Sequence, residues 1–229
     1  MPANRPSAII TGASRGIGLA VARALSREGF ELGFLCRTKP EVAGEFIACD
    51  FADSERVATA ADELVKRLGT VDVLVNNAGV FLEATVSDMA LGDWDKILRV
   101  NATGTFLVTR QVLPQMIQRR QGRIINIAST ASTQGYLQQS AYCASKHAML
   151  GFGRSLAMEV KPHNVHVHSL CPGGVETGLI QGTLLGERLK GQAKIQPEDI
   201  AEMVVFLIRQ PSNIDVAEVV IRRFDAQPK

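Results

Sequence analysis

Tyr142 and Lys146 stand four residues apart in a stretch with helical patterning, so both side chains project from one face about one turn apart. That pair can do acid chemistry. A free tyrosine holds its proton to about pH 10, and using it at neutral pH needs a nearby cation worth roughly 4 kcal/mol of phenolate stabilisation. Lys146 is placed to contribute it. Such a pair also occurs on ordinary exposed helices, so its companions must decide the matter.

The second concentration of chemistry lies near the amino end, in Thr11-Gly12-Ala13-Ser14-Arg15-Gly16-Ile17-Gly18. Glycines let a backbone turn tightly and approach a phosphate, and a helix amino terminus offers free N–H groups and partial positive charge. Gly12, Ser14, Arg15, Gly16, Ile17 and Gly18 are therefore candidate nucleotide contacts. His163, His166 and His168 resemble a metal cluster at first sight, but His166 and His168 alternate along a strand and no Cys or carboxylate completes a ligand set. No metal is expected.

The elements that position these residues alternate in kind. Apolar runs at Ala8–Ile10, Leu32–Cys36, Phe46–Cys49, Val71–Val75, Arg123–Ala128, Val165–Leu170 and Val216–Ile221 read as buried parallel strands. Helical patterns fall at Gly16–Glu28, Ser54–Leu68, Trp94–Arg119, Ala141–Val160 and Pro197–Arg209, with Pro114 expected to bend or interrupt the longest. Gly173 to Ile195 is the least regular region and a candidate mobile loop at the carboxyl edge, where ligands of open α/β sheets bind. The fold class expected is α/β: one Rossmann-type, doubly wound parallel sheet of about seven strands, helices on both faces, forming a single domain over residues 1–229.

The GxxxGxG spacing between strand and helix resembles the short-chain dehydrogenase/reductase family, and the resemblance runs through most of the chain. It implies that Ser129, thirteen residues before Tyr142, holds a substrate carbonyl oxygen, with Ser132 and Ser140 as nearby residues that could be mistaken for it. Asn101 in Val100-Asn101-Ala102 matches the asparagine that positions water beside the lysine for a proton relay, its plain alternative being a polar residue that bends a helix. Asn76-Asn77-Ala78-Gly79 looks like the segment that supports the sheet beside the cofactor, so Asn77, Ala78 and Gly79 are candidate contacts. Asp50 matches an adenine-contacting aspartate, its plain alternative being a turn residue. Cys171-Pro172-Gly173-Gly174-Val175-Glu176-Thr177 is similar to the motif whose backbone and threonine meet the nicotinamide and pyrophosphate, which nominates Pro172, Gly173, Val175 and Thr177. Tyr142 and Lys146 would then be acid and ribose-holding cation.

Dinucleotide folds tell NAD from NADP by an acid or an arginine at the end of the second strand. Here the strand ends Leu35-Cys36-Arg37 without a carboxylate, so Arg37, with Arg15, favours NADPH; Glu41 and Glu45 keep NADH as the alternative. The expected activity is NADPH-dependent reduction of a carbonyl to an alcohol, with 3-oxoacyl thioesters or small ketones and quinones as candidate substrates. Arg188, Lys190 and Lys194 are candidate contacts for an acidic acyl carrier protein. The reading from another class is an NADPH-binding regulatory protein with little turnover.

Two departures from the family pattern stand out. Only Thr38 to Glu45 separates Arg37 from the third strand where relatives carry a helix, which predicts a less covered sheet face with exposed apolar surface. The final strand ends Ile221-Arg222-Arg223-Phe224 rather than in glycines, although the resemblance still implies a homodimer or homotetramer through the two longest helices.

Composition narrows the classes further. The chain has 229 residues, 46% of them hydrophobic, and 25 Lys and Arg against 23 Asp and Glu, which argues against nucleic-acid or membrane partners. Met1 to Ser7 is too short and polar for a signal peptide, and no apolar run approaches the ~18 residues of a membrane span. Cys36, Cys49, Cys143 and Cys171 have no paired spacing, so free thiols and a cytoplasmic setting are expected.

Overall fold

A computed structural model describes residues 5–224; Met1–Asn4, most of the amino-terminal stretch considered above, lie outside the described residues. Seven strands form one sheet: β1 (Ser7–Thr11), β2 (Glu31–Cys36), β3 (Glu45–Ala48), β4 (Val73–Asn76), β5 (Gly122–Ile127), β6 (Val165–Pro172) and β7 (Glu218–Ile221). The order is β3-β2-β1-β4-β5-β6-β7, and every adjacent pair is parallel. The chain direction across the sheet reverses between β1 and β4, the place where such sheets open a crevice at their carboxyl edge.

The helices are α1 (Gly16–Arg27), α2 (Ser54–Leu68), α3 (Leu91–Leu98), α4 (Gly104–Arg119), α5 (Ser140–Val160), α6 (Leu184–Arg188) and α7 (Pro197–Ile208). One core unites α1 and α7 on one sheet face through Val21, Leu25, Phe34 and Val204. The other packs α2, α4 and part of α5 on the opposite face through Leu64, Leu74, Val108 and Ile124. The inner strands β1, β2, β4, β5 and β6 are mostly apolar because both sides of them are covered, whereas the edge strands β3 and β7 are partly exposed. Asp53 caps α2 by accepting from Arg56 N–H, and α7 opens with a capping box between Gln196 and Asp199 behind Pro197. Among the described residues no helix is long and apolar enough to cross a membrane.

Two sequence expectations need correction. The pattern read as one helix from Trp94 to Arg119 starts at Leu91 and is broken not at Pro114 but by a π-turn at Arg99–Thr103 around Asn101. Pro114 lies on the exposed side of α4, where water can satisfy the carbonyl that proline leaves unbonded. The short link from β2 to β3 does lack a helix, yet it leaves no apolar gap. Pro40 is buried, Val42 packs on the core, and Phe34 beneath is fully covered. Gly44 permits so tight a crossing: a Cβ there would fall 2.6 Å from Leu32 O and 2.6 Å from the Phe34 ring.

Candidate active site

The glycine segment forms the turn from β1 into α1 and is held from below by β4. Thr11 Oγ1 accepts from the N–H groups of Asn77 and Ala78, both at 2.9 Å, while Asn77 Nδ2 donates to the carbonyls of Thr11 and Gly12 at 3.0 and 3.1 Å. Gly12 has φ +68°, and a Cβ on it would sit 2.9 Å from Ala78 Cα. Gly18 is tighter still: its Cβ would lie 2.4 Å from Gly12 O. The turn is thus built to bring bare backbone to the cleft floor, and the residues present fit a dinucleotide phosphate bridge there.

One cleft of about 840 Å³ runs along the carboxyl edge. It gathers Gly12, Ser14, Arg15, Gly16, Ile17, Arg37, Asp50, Asn77, Ala78 and Gly79 with Pro172, Gly173, Val175 and Thr177, and reaches Ser129, Tyr142 and Lys146. Two predicted residues do not line it. Gly18 acts by leaving room beneath the turn. Asn101 is fully buried behind the cleft, where Oδ1 accepts from Val80 N–H at 2.8 Å and Nδ2 donates to Val80 O at 3.0 Å and Ser145 Oγ at 2.9 Å. Ser145 in turn donates to Tyr142 O at 2.8 Å, so Asn101 fixes the α5 turn that carries the tyrosine. Asp50 also makes the turn predicted as its alternative role, its Oδ1 accepting from Ala52 N–H at 3.0 Å.

Ser129 follows β5, and Ser132 and Ser140 do not line the cleft, which leaves Ser129 as the serine beside Tyr142. Burial pushes the Tyr142 phenol up to about 12, and the neighbouring Ser129 hydroxyl pulls it the other way. Its ring stands edge-on to Phe81 at 4.9 Å. Burial drives Lys146 down to about 8. Its Nζ donates to Ile127 O at 2.9 Å and lies 5.9 Å from the Tyr142 ring centre. A Cβ on Gly79 would fall 3.4 Å from Asn101 Oδ1 and 3.8 Å from Lys146 Nζ, which places amide and ammonium around the same small gap.

Several cleft residues were not singled out from sequence. Gln139 is 4% exposed and precedes Tyr142 by three positions, a helical spacing that would have found it. Tyr136 donates from its hydroxyl to Thr130 Oγ1 at 2.9 Å, beside the Ser129 end of β5. Arg222, noted only as a missing glycine, also lines the cleft. Over the opening, the segment with α6 is anchored where Leu185 N–H donates to the Glu83 carboxylate at 2.9 Å.

The short chain dehydrogenase family model matches residues 6–187. The 3-oxoacyl-acyl-carrier-protein reductase FabG of Aquifex aeolicus is 34% identical over 93% of this chain and 93% of its own. Nodulation protein G of Rhizobium meliloti is 42% identical over 75% and 74% of the two chains. Among solved structures, an alcohol dehydrogenase of the archaeon Thermococcus sibiricus complexed with 5-hydroxy-NADP superposes with a TM-score of 0.87 at 26% identity, covering 99% of this chain and 100% of that one. The ligand-free aldohexose dehydrogenase of Thermoplasma acidophilum gives 0.86 at 27% identity over 99% and 98%.

Proposed function

The chain belongs to the short-chain dehydrogenase family, and on that premise we propose that it is an NADPH-dependent reductase converting a carbonyl to an alcohol with Tyr142 as proton donor. The observation that carries the reading is the continuity of one cleft from the glycine turn to the Ser129–Tyr142–Lys146 group.

Gly12, Ser14, Gly16 and Ile17 would hold the pyrophosphate, Asp50 the adenine, and Pro172, Gly173, Val175 and Thr177 the nicotinamide end. When bound, the cofactor supplies the hydride. Ser129 orients the carbonyl oxygen, and Tyr142 delivers a proton to it. Burial holds the phenol at about 12, so release of its proton depends on a cation beside it. Lys146 holds the ribose and supplies the positive field that eases proton release. Asn101, clamped to Val80 and Ser145, keeps the space beside Lys146 open for the water that resupplies the proton.

NADPH rather than NADH is supported by Arg15 and Arg37, both exposed on the cleft. The acids that could have met a ribose hydroxyl are engaged elsewhere: Glu41 pairs with Arg23, and Glu45 with Arg67 at 3.4 Å. A 3-oxoacyl thioester is the first substrate class to try, given the reductases among the relatives. A homo-oligomer through the outer faces of α4 and α5 fits the exposure of Phe106 and Met158 there.

Consumption of NADPH and NADH by the purified protein with acetoacetyl thioesters, small diketones and quinones tests the proposal. Turnover with NADPH on any of them is expected. Silence across the panel with both cofactors would point instead to the regulatory role.

A further inference from the structure

The cleft holds more basic side chains than the cofactor and catalytic roles given above use. Its lining holds Arg15, Arg37, Lys96, Lys146, Arg222 and Arg223 against a single acid, Asp50. Arg15 and Arg37 belong to the adenosine end, and Lys146 to the catalytic group. Arg222 and Arg223 stand at the other end, where the carboxyl ends of β6 and β7 meet.

Backbone geometry locates Arg222 closely. Gly173 N–H donates to Ile221 O at 2.8 Å. A Cβ on Gly173 would lie 3.8 Å from Arg222 Cα and 3.8 Å from Thr130 Cγ2. Thr130 directly follows Ser129, so Gly173 stands between the root of the Arg222 side chain and the strand end that carries Ser129. Arg223 turns away to the segment that follows α6, donating to the Gln192 side chain and to Ala193 O at 3.5 Å. Arg222 is exposed, lines the cleft and makes no hydrogen bond or ion pair with the described residues.

Three cations of the segment over the opening have partners. Lys190 pairs with Glu187 at 3.5 Å, Lys194 with Glu176 at 2.8 Å, and Arg188 donates to Gln138 at 3.3 Å. These are the three residues nominated from sequence as a carrier-protein contact, and their pairing leaves Arg222 and Lys96 as the cleft cations outside the cofactor and catalytic groups without a partner among the described residues.

We propose that Arg222 is a specificity residue that binds an anionic group on the substrate, a carboxylate or a phosphate, on the side of the cleft away from the adenosine. The inference rests on the reductase reading above and adds the substrate's charge to it. A guanidinium fork suits either anion, because both offer two coplanar oxygens at its spacing. Asp50 is the one acid of the cleft lining, so little carboxylate there competes with a substrate anion.

The test compares a short oxo acid with its methyl ester, and an acetoacetyl phosphopantetheine thioester with its dephosphorylated form, using native protein, Arg222→Gln and Arg222→Lys with NADPH. The native chain should prefer the charged member of at least one pair in kcat/KM. Arg222→Gln should shrink that preference about tenfold or more, mainly through KM, and Arg222→Lys should restore part of it. Which pair responds identifies the source of the anion. A preference that survives Arg222→Gln, or a native chain that favours both neutral members, overturns the proposal. If no compound turns over, the reductase reading fails on its own, and the anion site is judged by thermal shift with NADP and each anion. A rise in melting temperature in the native chain that Arg222→Gln loses supports the site; equal responses refute it.

Discussion

At the carboxyl edge of the sheet the buried ionisable groups, Lys146 and Tyr142, face a cleft; at the amino edge His168 and Arg123 face each other and the backbone. His168 is fully buried, with Nδ1 2.8 Å from Val216 O and Nε2 3.3 Å from the Arg123 guanidinium, which also donates to Gln210 O. His166 stacks on it with ring centres 6.1 Å apart. Desolvation displaces the pKa values at both edges, lowering Lys146, His168 and Arg123 alike. A displaced pKa therefore does not separate working groups from structural ones. What separates them is where the remaining hydrogen-bonding capacity points: the Lys146 ammonium keeps donors for a ligand, whereas both His168 nitrogens are engaged within the fold.

The largest effect is expected at Lys146. Its pKa lies near 8 in the fold against 10.5 for the free side chain, a cost of about 3 kcal/mol at neutral pH. The unfolded chain binds the extra proton between those values, so this group's contribution to stability improves as pH rises through that window. Lys146→Met should cut turnover by about two orders of magnitude or more, while its melting temperature at neutral pH stays at or above the native value. A steep loss of melting temperature would mean that Lys146 is structural, like His168.

The cofactor half gives the next effect. Removing both Arg15 and Arg37 by alanine substitution should raise KM for NADPH about a hundredfold and leave KM for NADH far less changed. Equal increases for both cofactors would remove the argument for phosphate recognition. The smallest effect belongs to the amino edge. His168 has a pKa below the 6.5 of free histidine because of burial and the Arg123 charge, opposed by Val216 O and Asp215. Its contribution is complete above about pH 6.5 and is lost as pH falls below that value, since the unfolded chain takes the proton first. His168→Asn should flatten the fall in melting temperature on acidification and leave kcat of the folded protein unchanged. A large loss of kcat would join the two edges functionally.

Much of this was legible in the residues. The five inner strands were legible as apolar runs because parallel strands buried on both faces need no alternation to be seen, and the partly exposed edge strands β3 and β7 still carry short apolar runs. The glycine turn and the Tyr142–Lys146 stripe could be read because each depends on short-range spacing. The break in the long helical pattern falls at Asn101, as its plain alternative reading expected, and not at Pro114: proline's local rule is strong, and an exposed helix face tolerates breaking it. The covered face beneath the β2–β3 link was illegible because Pro40, Val42 and Gly44 achieve it by tertiary packing. Arg222 could not be placed for the same reason, since only the pairing of β6 with β7 brings it to Gly173.

The central claim is that Tyr142 gives the proton, and Tyr142→Phe tests it with the least disturbance, because the ring keeps its place against Phe81. NADPH consumption on the best carbonyl substrate should be measured together with NADPH binding. The account predicts binding within about twofold of native and turnover reduced by about a thousandfold. A Phe variant that binds NADPH and still reduces the substrate at a near-native rate would contradict it.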